Sequence, residues 1–116
     1  MTVSHVTTHV LDTALGRPAA GIAVTLETAA DTGRTSWTPL AVGRTDDDGR
    51  VSDLGPRRLA AGVYRLVFDT ESYFRRGGRR TFYPEVGVVF EIADEDAHHH
   101  VPLLLSPFGY STYRGS

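Results

Sequence analysis

The sequence contains no cysteine. This excludes a disulfide framework, a thiolate nucleophile and a zinc site with cysteine ligands, so any catalysis must use histidine, serine, tyrosine or carboxylates. The sequence also lacks a long apolar run, and its first residues do not combine a basic segment with an apolar one. We therefore expect a cytoplasmic protein that does not insert into a membrane.

Neither sign of charge dominates the chain. The 12 basic and 14 acidic residues give a formal net charge of −2, which is too balanced for a protein that binds nucleic acid or a membrane surface. We interpret one local basic cluster, Arg75, Arg76, Arg79 and Arg80, as a solvated loop. The 116 residues predict a single domain, 1–116, with a core that needs no covalent cross-link.

Apolar residues recur mostly at every second position, in short runs separated by glycine, proline and aspartate. This pattern predicts an all-β protein, either a sandwich or a barrel. Only the stretch "ESYFRRGG" at 71–78 predicts a helix, and it is a short one. The alternation predicts three buried strand faces: Ile22, Val24 and Leu26; Tyr64, Leu66 and Phe68; and Val86, Val88, Phe90 and Ile92.

The stretch "DDDGR" at 46–50 predicts a turn in which Gly49 has a positive φ and Arg50 begins the next segment. A calcium loop is rejected because Arg44 stands where the first aspartate ligand is needed, and Gly55 stands in place of the final glutamate. Arg50 is an ordinary surface arginine in one interpretation. In the other, in which His9 and His100 line a pocket, it is a planar hydrogen-bond donor to an anionic or carbonyl-rich substrate.

The histidines are candidate acids and bases because imidazole exchanges protons near neutral pH. Alternate residues of an extended chain share a face, which predicts that His98 and His100 point one way and His99 the other, and that His5 shares a face with His9. We interpret His5, His98 and His99 as hydrogen-bonded structural residues.

A zinc site is a second possibility, because a His-x-His pair on a strand and one distant histidine can bind zinc together. The sequence identifies no distant partner for His98 and His100. We therefore expect neither a metal nor a cofactor.

The end of the chain is unusually apolar and aromatic for a terminus. Its aromatic residues Phe108, Tyr110 and Tyr113 are either core or interface residues, or parts of a site.

Four stretches carry a family resemblance: "THVLD" at 8–12, "TDDDGR" at 45–50, "FYPEV" at 82–86 and "HVPLLLSPFGYSTYRGS" at 100–116. They resemble the transthyretin-like family, and the terminal "YRGS" resembles its hydrolases rather than its hormone carriers. The resemblance implies a transthyretin-like two-sheet β-sandwich with one short helix. It also implies a homotetramer, a dimer of dimers whose sites lie at the contact between dimers.

The same resemblance implies an enzyme of urate and purine degradation. Its substrate would be 5-hydroxyisourate, a cyclic amide, which it would open to 2-oxo-4-hydroxy-4-carboxy-5-ureidoimidazoline. Catalytic roles are implied for His9, Arg50, His100 and Ser116, and substrate binding for His9, Arg50 and Tyr113. The resemblance leaves open which histidine is the base.

One residue departs from the family pattern. The family commonly has a tyrosine where this chain has His99. Because His99 is predicted to face away from His100, we expect no loss of activity from this difference.

The main alternative is a non-catalytic transthyretin-like carrier that binds a small ligand. Loss of the "YRGS" ending or of His9 would favour a carrier, but both are present. A structural module of a larger assembly is the third possibility, and it is disfavoured because the motifs occupy nearly the whole chain.

Overall fold

Short strands make up most of the regular structure in the computed structural model, which describes residues 3–116. The helix α1 spans Thr70–Arg76. The strands are β1 Val6–Asp12, β2 Arg17–Pro18, β3 Ala23–Ala29, β4 Trp37–Arg44, β5 Arg50–Val51, β6 Gly62–Phe68, β7 Val86–Ile92, β8 His99–Ser106 and β9 Gly109–Thr112. The predicted all-β class with one short helix is confirmed.

The strands form two sheets that enclose one core. The first sheet has the order β2-β1-β8-β9, with β5 also paired to β1, and the second has the order β4-β3-β6-β7. Strands β1 and β8 run parallel, from Val6 opposite His99 to Asp12 opposite Leu105. The other strand pairs are antiparallel. The structure is therefore a sandwich, and it has a parallel pair in the middle of one sheet.

Alternating apolar side chains fill the space between the sheets. Val6 and Val10 of β1 and Leu103 and Leu105 of β8 are fully buried. Each such side chain contributes about 1.5–3 kcal/mol to the free energy of unfolding. The three predicted buried faces, on β3, β6 and β7, all lie in this core, although Phe90 is only partly buried.

The turn before β5 has the predicted conformation. Gly49 has a φ of 77°, and a side chain at this position would collide with the carbonyl oxygen of Val10. The Asp46 Oδ1 accepts hydrogen bonds from the backbone N–H groups of Asp48 and Arg50, both at 2.9 Å. These contacts fix where Arg50 begins the next strand, and the Val10 N–H donates to the Gly49 carbonyl at 2.8 Å, which holds the turn against β1.

The helix has ordinary end contacts. The Asp69 carboxylate accepts hydrogen bonds from the Ser72 backbone N–H at 3.2 Å and from the Ser72 hydroxyl at 2.7 Å. Arg75 and Arg76 occupy the last turn, where cations interact favourably with the helix dipole. Within residues 3–116, no helix is long and apolar enough to cross a membrane.

The interpretation of the basic cluster as a solvated loop is wrong for Arg75 and Arg76, which lie in α1, and for Arg79. Its Nη2 donates to Oδ2 of the fully buried Asp12 at 2.6 Å, and the Tyr73 hydroxyl donates to the same oxygen at 2.7 Å. Burial acts to raise the pKa of Asp12, but the hydrogen bonds from Arg79 and Tyr73 outweigh it and hold this pKa below its ordinary value. A buried carboxylate requires such a partner.

Replacing Arg79 by alanine should leave the buried Asp12 carboxylate without its countercharge. We expect the free energy of unfolding at neutral pH to fall by about 3–5 kcal/mol, measured by urea denaturation. Arg80→Ala is the matched control, because Arg80 is exposed, and should change stability by no more than about 0.5 kcal/mol.

The Arg79→Ala deficit should depend on pH. Because the folded-state pKa of Asp12 is lowered, the ion pair's contribution is present above the unfolded value of 3.8 and is lost as pH falls through the folded value. Equal stabilities of the two alanine variants at neutral pH would show that the ion pair contributes nothing.

Candidate active site

The outer face of the first sheet carries the candidate site. Thr7 and His9 alternate along β1 with side chains that point into the sandwich, and His100 does the same on β8, although Thr7 is itself largely covered by its neighbours. The parallel register places Thr7 opposite His100. On the other side of β1, β5 places Arg50 opposite His9. Three neighbouring strands thus bring His9, Arg50 and His100 to one face.

The turn before β5 also holds His9. The His9 Nε2 lies 2.8 Å from the carbonyl oxygen of Asp48. Because a carbonyl can only accept, Nε2 carries the proton, and Nδ1 is the unprotonated nitrogen of the neutral ring. One turn therefore sets the tautomer of His9 and presents Arg50.

Arg50 extends into solvent from the start of β5. Its backbone N–H is engaged by Asp46, but within residues 3–116 its guanidinium makes no hydrogen bond or ion pair. A guanidinium keeps its charge at any ordinary pH and offers paired donors in one plane. Arg50 is therefore a cationic donor available to a ligand.

His100 is half-buried and lies among positive groups. Burial, and then the charges of Arg50, His9 and His98, hold its pKa below the ordinary histidine value. Its Nδ1 lies 2.8 Å from the Thr7 hydroxyl oxygen. His100 is therefore mainly neutral at neutral pH, which is the state that can accept a proton.

The end of the chain returns to this face. The Gly115 N–H donates to the carbonyl oxygen of His100 at 2.9 Å. A Cβ at Gly115 would lie 2.6 Å from Cδ2 of His100 and 3.2 Å from Cγ of Pro102. Only glycine fits against the His100 ring in this position. The chain terminus therefore supports a candidate catalytic residue.

Two cavities adjoin His100. The first, of about 260 Å³, is lined by Thr7, Arg50, His98, His100 and Ser116, among others. The second, of about 340 Å³, is lined by Tyr113, Arg114 and part of β7 as well as His100. One chain thus brings Arg50, His100 and Ser116 together at the first cavity. His9 is not part of its lining and lies next to it, paired with Arg50.

Tyr113 does not line the pocket that contains Arg50 and Ser116. It is 58% exposed and borders the second cavity. Its role in substrate binding remains a prediction.

His5 and His99 have structural positions, as predicted. The His5 Nε2–H donates to the Ala97 carbonyl at 2.8 Å, and its Nδ1 accepts from the Leu59 N–H at 2.7 Å. The His99 Nδ1–H donates to the same Ala97 carbonyl at 2.8 Å, and the two rings pack edge to face. Both side chains are buried.

The two predictions about which histidines share a face of a strand have different outcomes. His98 and His100 both reach the Thr7 hydroxyl while His99 is buried, so the predicted alternation is confirmed. The prediction that His5 shares a face with His9 is wrong. His5 precedes β1, in a bend that directs its ring onto His99.

Residues 3–116 provide no set of ligands for the alternative of a zinc site. In the described part of the chain, no three histidine, aspartate or glutamate side chains are placed to hold a metal ion. His98 and His100 contact one hydroxyl instead.

Sequence reasoning missed Thr7. Alternation places Thr7 on the face of His9, but nothing local indicates that His100, 93 positions later, lies opposite. The one local indication of a role for Thr7 was its hydroxyl group, two positions before the candidate catalytic residue His9.

The model of the HIUase/transthyretin family matches residues 6–115. The chain belongs to this family. The 5-hydroxyisourate hydrolase of Salmonella dublin is 50% identical over 109 residues, which cover 93% of this chain and 78% of the relative. The structure of Klebsiella pneumoniae 5-hydroxyisourate hydrolase matches with a TM-score of 0.82 and 36% identity, covering 96% of this chain and 98% of the other.

Sea bream transthyretin in complex with thyroxine matches with a TM-score of 0.86 and 34% identity, covering 95% of this chain and 93% of the other. The predicted transthyretin-like fold is therefore confirmed. Since a hydrolase and a transthyretin match the backbone about equally well, the fold alone does not separate enzyme from carrier.

Replacing Gly115 by alanine should displace the His100 ring and leave the core intact. Because misplacement of a catalytic group by about 1 Å can cost about 10²-fold, we expect kcat/KM to fall at least about tenfold. The midpoint of thermal unfolding should change little.

Gly109→Ala is the matched control in the same terminal segment. A Cβ there would meet Ser106 Oγ at 3.7 Å, an ordinary contact, so activity should be retained. Equal kcat/KM values for the two variants would contradict the importance of the Gly115 contact.

Proposed function

We propose that this protein is a 5-hydroxyisourate hydrolase whose site lies on the outer face of β1, β5 and β8. The structural observation that carries the proposal is the pocket in which Arg50, His100 and Ser116 meet. The hydrolase relative at 50% identity over 93% of the chain supports catalysis. The solved structures do not separate the two functions, since the identity is 36% to the Klebsiella pneumoniae hydrolase and 34% to sea bream transthyretin.

Hydrolysis of a cyclic amide makes defined demands on the site. The oxygen of water adds to the carbonyl carbon, the C–N bond breaks, and the departing nitrogen takes up a proton. The new carboxylic acid then ionises at neutral pH. The site must therefore supply a base for water, a donor for the developing oxyanion and a proton for the nitrogen.

His100 is the proposed base. Its Nδ1 is occupied by Thr7, which leaves Nε2 as the ring nitrogen for water. Its lowered pKa keeps the ring neutral. His9, whose Nε2–H is held by the Asp48 carbonyl, positions the substrate by accepting a hydrogen bond at Nδ1, and the His100 imidazolium passes the proton taken from water to the departing nitrogen. Arg50 donates to the substrate oxygen that becomes negative, since its guanidinium has no other partner in residues 3–116.

Ser116 and Tyr113 are proposed to complete the substrate pocket by hydrogen bonds. Ser116 already borders the cavity, whereas Tyr113 lies on the other side of His100. At about 260 Å³, the cavity is below the ~300 Å³ at which typical ligand pockets begin. A neighbouring subunit that closes the pocket would explain both observations.

Exposed aromatic residues support a homotetramer. Phe82 and Phe108 are 70% and 72% exposed, and Tyr110, close to Phe82 through Tyr83, is 41% exposed. Clustered apolar surface of this kind marks interaction sites. A dimer of dimers would cover it and bring a second chain to the site.

Sedimentation equilibrium should give a mass of about 50 kDa, four times the 12.6 kDa of one chain. Dilution that separates the subunits should abolish activity if a second chain completes the pocket. A fully active monomer would refute the tetramer as the functional unit.

The function itself is tested by mixing the purified protein with freshly generated 5-hydroxyisourate and following the ultraviolet absorbance. An enzyme accelerates the decay in proportion to its concentration. A decay no faster than the spontaneous one would favour the carrier.

Alanine at His9, Arg50 or His100 should each lower kcat/KM by about 10²-fold or more, the usual effect of losing an acid, a base or an oxyanion donor. Arg50→Lys should also be poor, because an ammonium group cannot reproduce a planar two-pronged contact. Folding should survive in all four variants.

Arg80→Ala removes an exposed arginine that lines neither cavity beside His100 and serves as the control. His99→Ala should cost activity much less than His100→Ala, because the His99 ring lies in the core. A His99 effect as large as that of His100 would contradict the assignment of the outer face as the active one.

Other expectations remain predictions: one hydrolase domain over residues 1–116, a cytoplasmic location, no nucleic-acid or membrane partner, and activity without metal or cofactor. Met1 and Thr2 lie outside the described residues.

A further inference from the structure

One hydroxyl group lies between two histidines at the candidate site. The Thr7 Oγ1 is 2.8 Å from Nδ1 of His100 and 2.9 Å from Nε2 of His98. The Thr7 side chain is almost completely buried, whereas His98 is exposed. All three residues line the cavity that contains Arg50.

A hydroxyl has a single hydrogen to donate and two lone pairs that accept. Thr7 can therefore donate to only one of the two imidazoles. If it donates to His100, then Nδ1 of His100 is unprotonated, Nε2 carries the proton, and Nε2 cannot act as a base. If it donates to His98, its lone pairs accept from His100 Nδ1–H, and Nε2 of His100 is unprotonated.

We propose that Thr7 and His98 are positioning residues that select the Nδ1–H tautomer of His100, an inference that rests on the proposed function. Neutral His98 accepts the Thr7 hydrogen at Nε2. Thr7 in turn accepts the Nδ1–H of His100. The basic Nε2 of His100 is then directed at water in the pocket. This role revises the sequence-based interpretation of His98 as a purely structural residue.

Several charged residues surround these three side chains. Around His100 lie His9 of β1, Arg50 of β5, and Arg114 and Ser116 of the terminal segment. His98 also borders a surface cavity with four charged residues: Arg57, Arg58, Glu95 and Asp96. Protonated His98 has no lone pair at Nε2, so acid removes the acceptor that the selection needs.

Substitutions at Thr7 separate the hydroxyl from its packing. Thr7→Val keeps the shape and removes the hydroxyl, whereas Thr7→Ser keeps the hydroxyl. An imidazole held in the wrong tautomer can cost about 10⁴ in kcat. In Thr7→Val both tautomers of His100 should be populated, which costs less than holding the wrong one. We therefore expect this variant to lower kcat at least about tenfold. KM should change little, and Thr7→Ser should recover most of kcat.

Thr13→Val is the matched control. The Thr13 hydroxyl, directly after β1, also bonds to β8 by donating to the Leu105 carbonyl at 3.2 Å, but it contacts no histidine. Equal losses in Thr7→Val and Thr7→Ser, or in Thr7→Val and Thr13→Val, would assign Thr7 a packing role and overturn the proposal.

Substitutions at His98 test the acceptor. Glutamine offers a carbonyl oxygen that can accept the Thr7 hydrogen and does not titrate, whereas leucine offers no acceptor. His98→Gln should keep most of kcat and extend it to lower pH, and His98→Leu should resemble Thr7→Val. Equal kcat values and equal pH profiles for the two His98 variants would overturn the acceptor role.

A spectroscopic measurement separates this proposal from the proposed function. In ¹⁵N-labelled wild-type protein without substrate, the side-chain shifts of His100 should show a protonated Nδ1 and an unprotonated Nε2, and Thr7→Val should show a mixture of tautomers. A wild-type protein inactive on 5-hydroxyisourate but with this signature would refute the function alone. A wild-type His100 protonated at Nε2 would overturn the tautomer selection whatever the activity.

Discussion

The parallel pairing of β1 with β8 is the contact on which the rest of the structure depends. It joins segments about 93 positions apart, so its formation must overcome a large loss of chain entropy before any contact stabilises it. Once formed, it supplies buried residues to the core on one side and the candidate site on the other. It also carries β9, which returns the end of the chain to His100.

The two faces of this pair divide stability from chemistry. On the core side, His99 is buried against His5, and Asp12 at the far end of β1 is paired with Arg79. On the outer side, Thr7 and His100 lie close together. Neighbouring residues in sequence therefore lie on opposite faces, and the histidine at position 99, where the family resemblance leads us to expect a tyrosine, lies on the core side. A substitution at position 99 therefore affects the core side of the sheet and not the outer face.

Local patterns in the sequence predicted much of the fold. Alternation identified the buried faces of β3, β6 and β7, and the turn chemistry of Gly49 was recognisable because a positive φ is a local requirement. The motifs carrying the family resemblance selected His9, Arg50 and His100, which the structure places on neighbouring strands.

Long-range partners could not be predicted in the same way. The burial of Asp12 creates the need for Arg79, and that burial is a property of the assembled sandwich. The bend that turns His5 into the core depends on where β1 begins to pair with β8. The contact between Thr7 and His100 requires the parallel register, which alternation within either strand leaves undetermined. Each miss is a tertiary contact that overrides a local pattern.

The electrostatics of the site link its two main roles. Arg50 is suited to stabilise an oxyanion because its charge does not depend on pH. The same charge, after burial, contributes to the lowered pKa of His100 and keeps that ring neutral before the reaction. In the proposed reaction, it would also disfavour the imidazolium that forms once His100 has taken a proton from water. The oxyanion that forms in the same step would offset this cost, because its negative charge interacts favourably with both positive groups. We therefore propose that Arg50 opposes protonation of His100 in the resting site and tolerates it when the oxyanion is present, which favours the transition state.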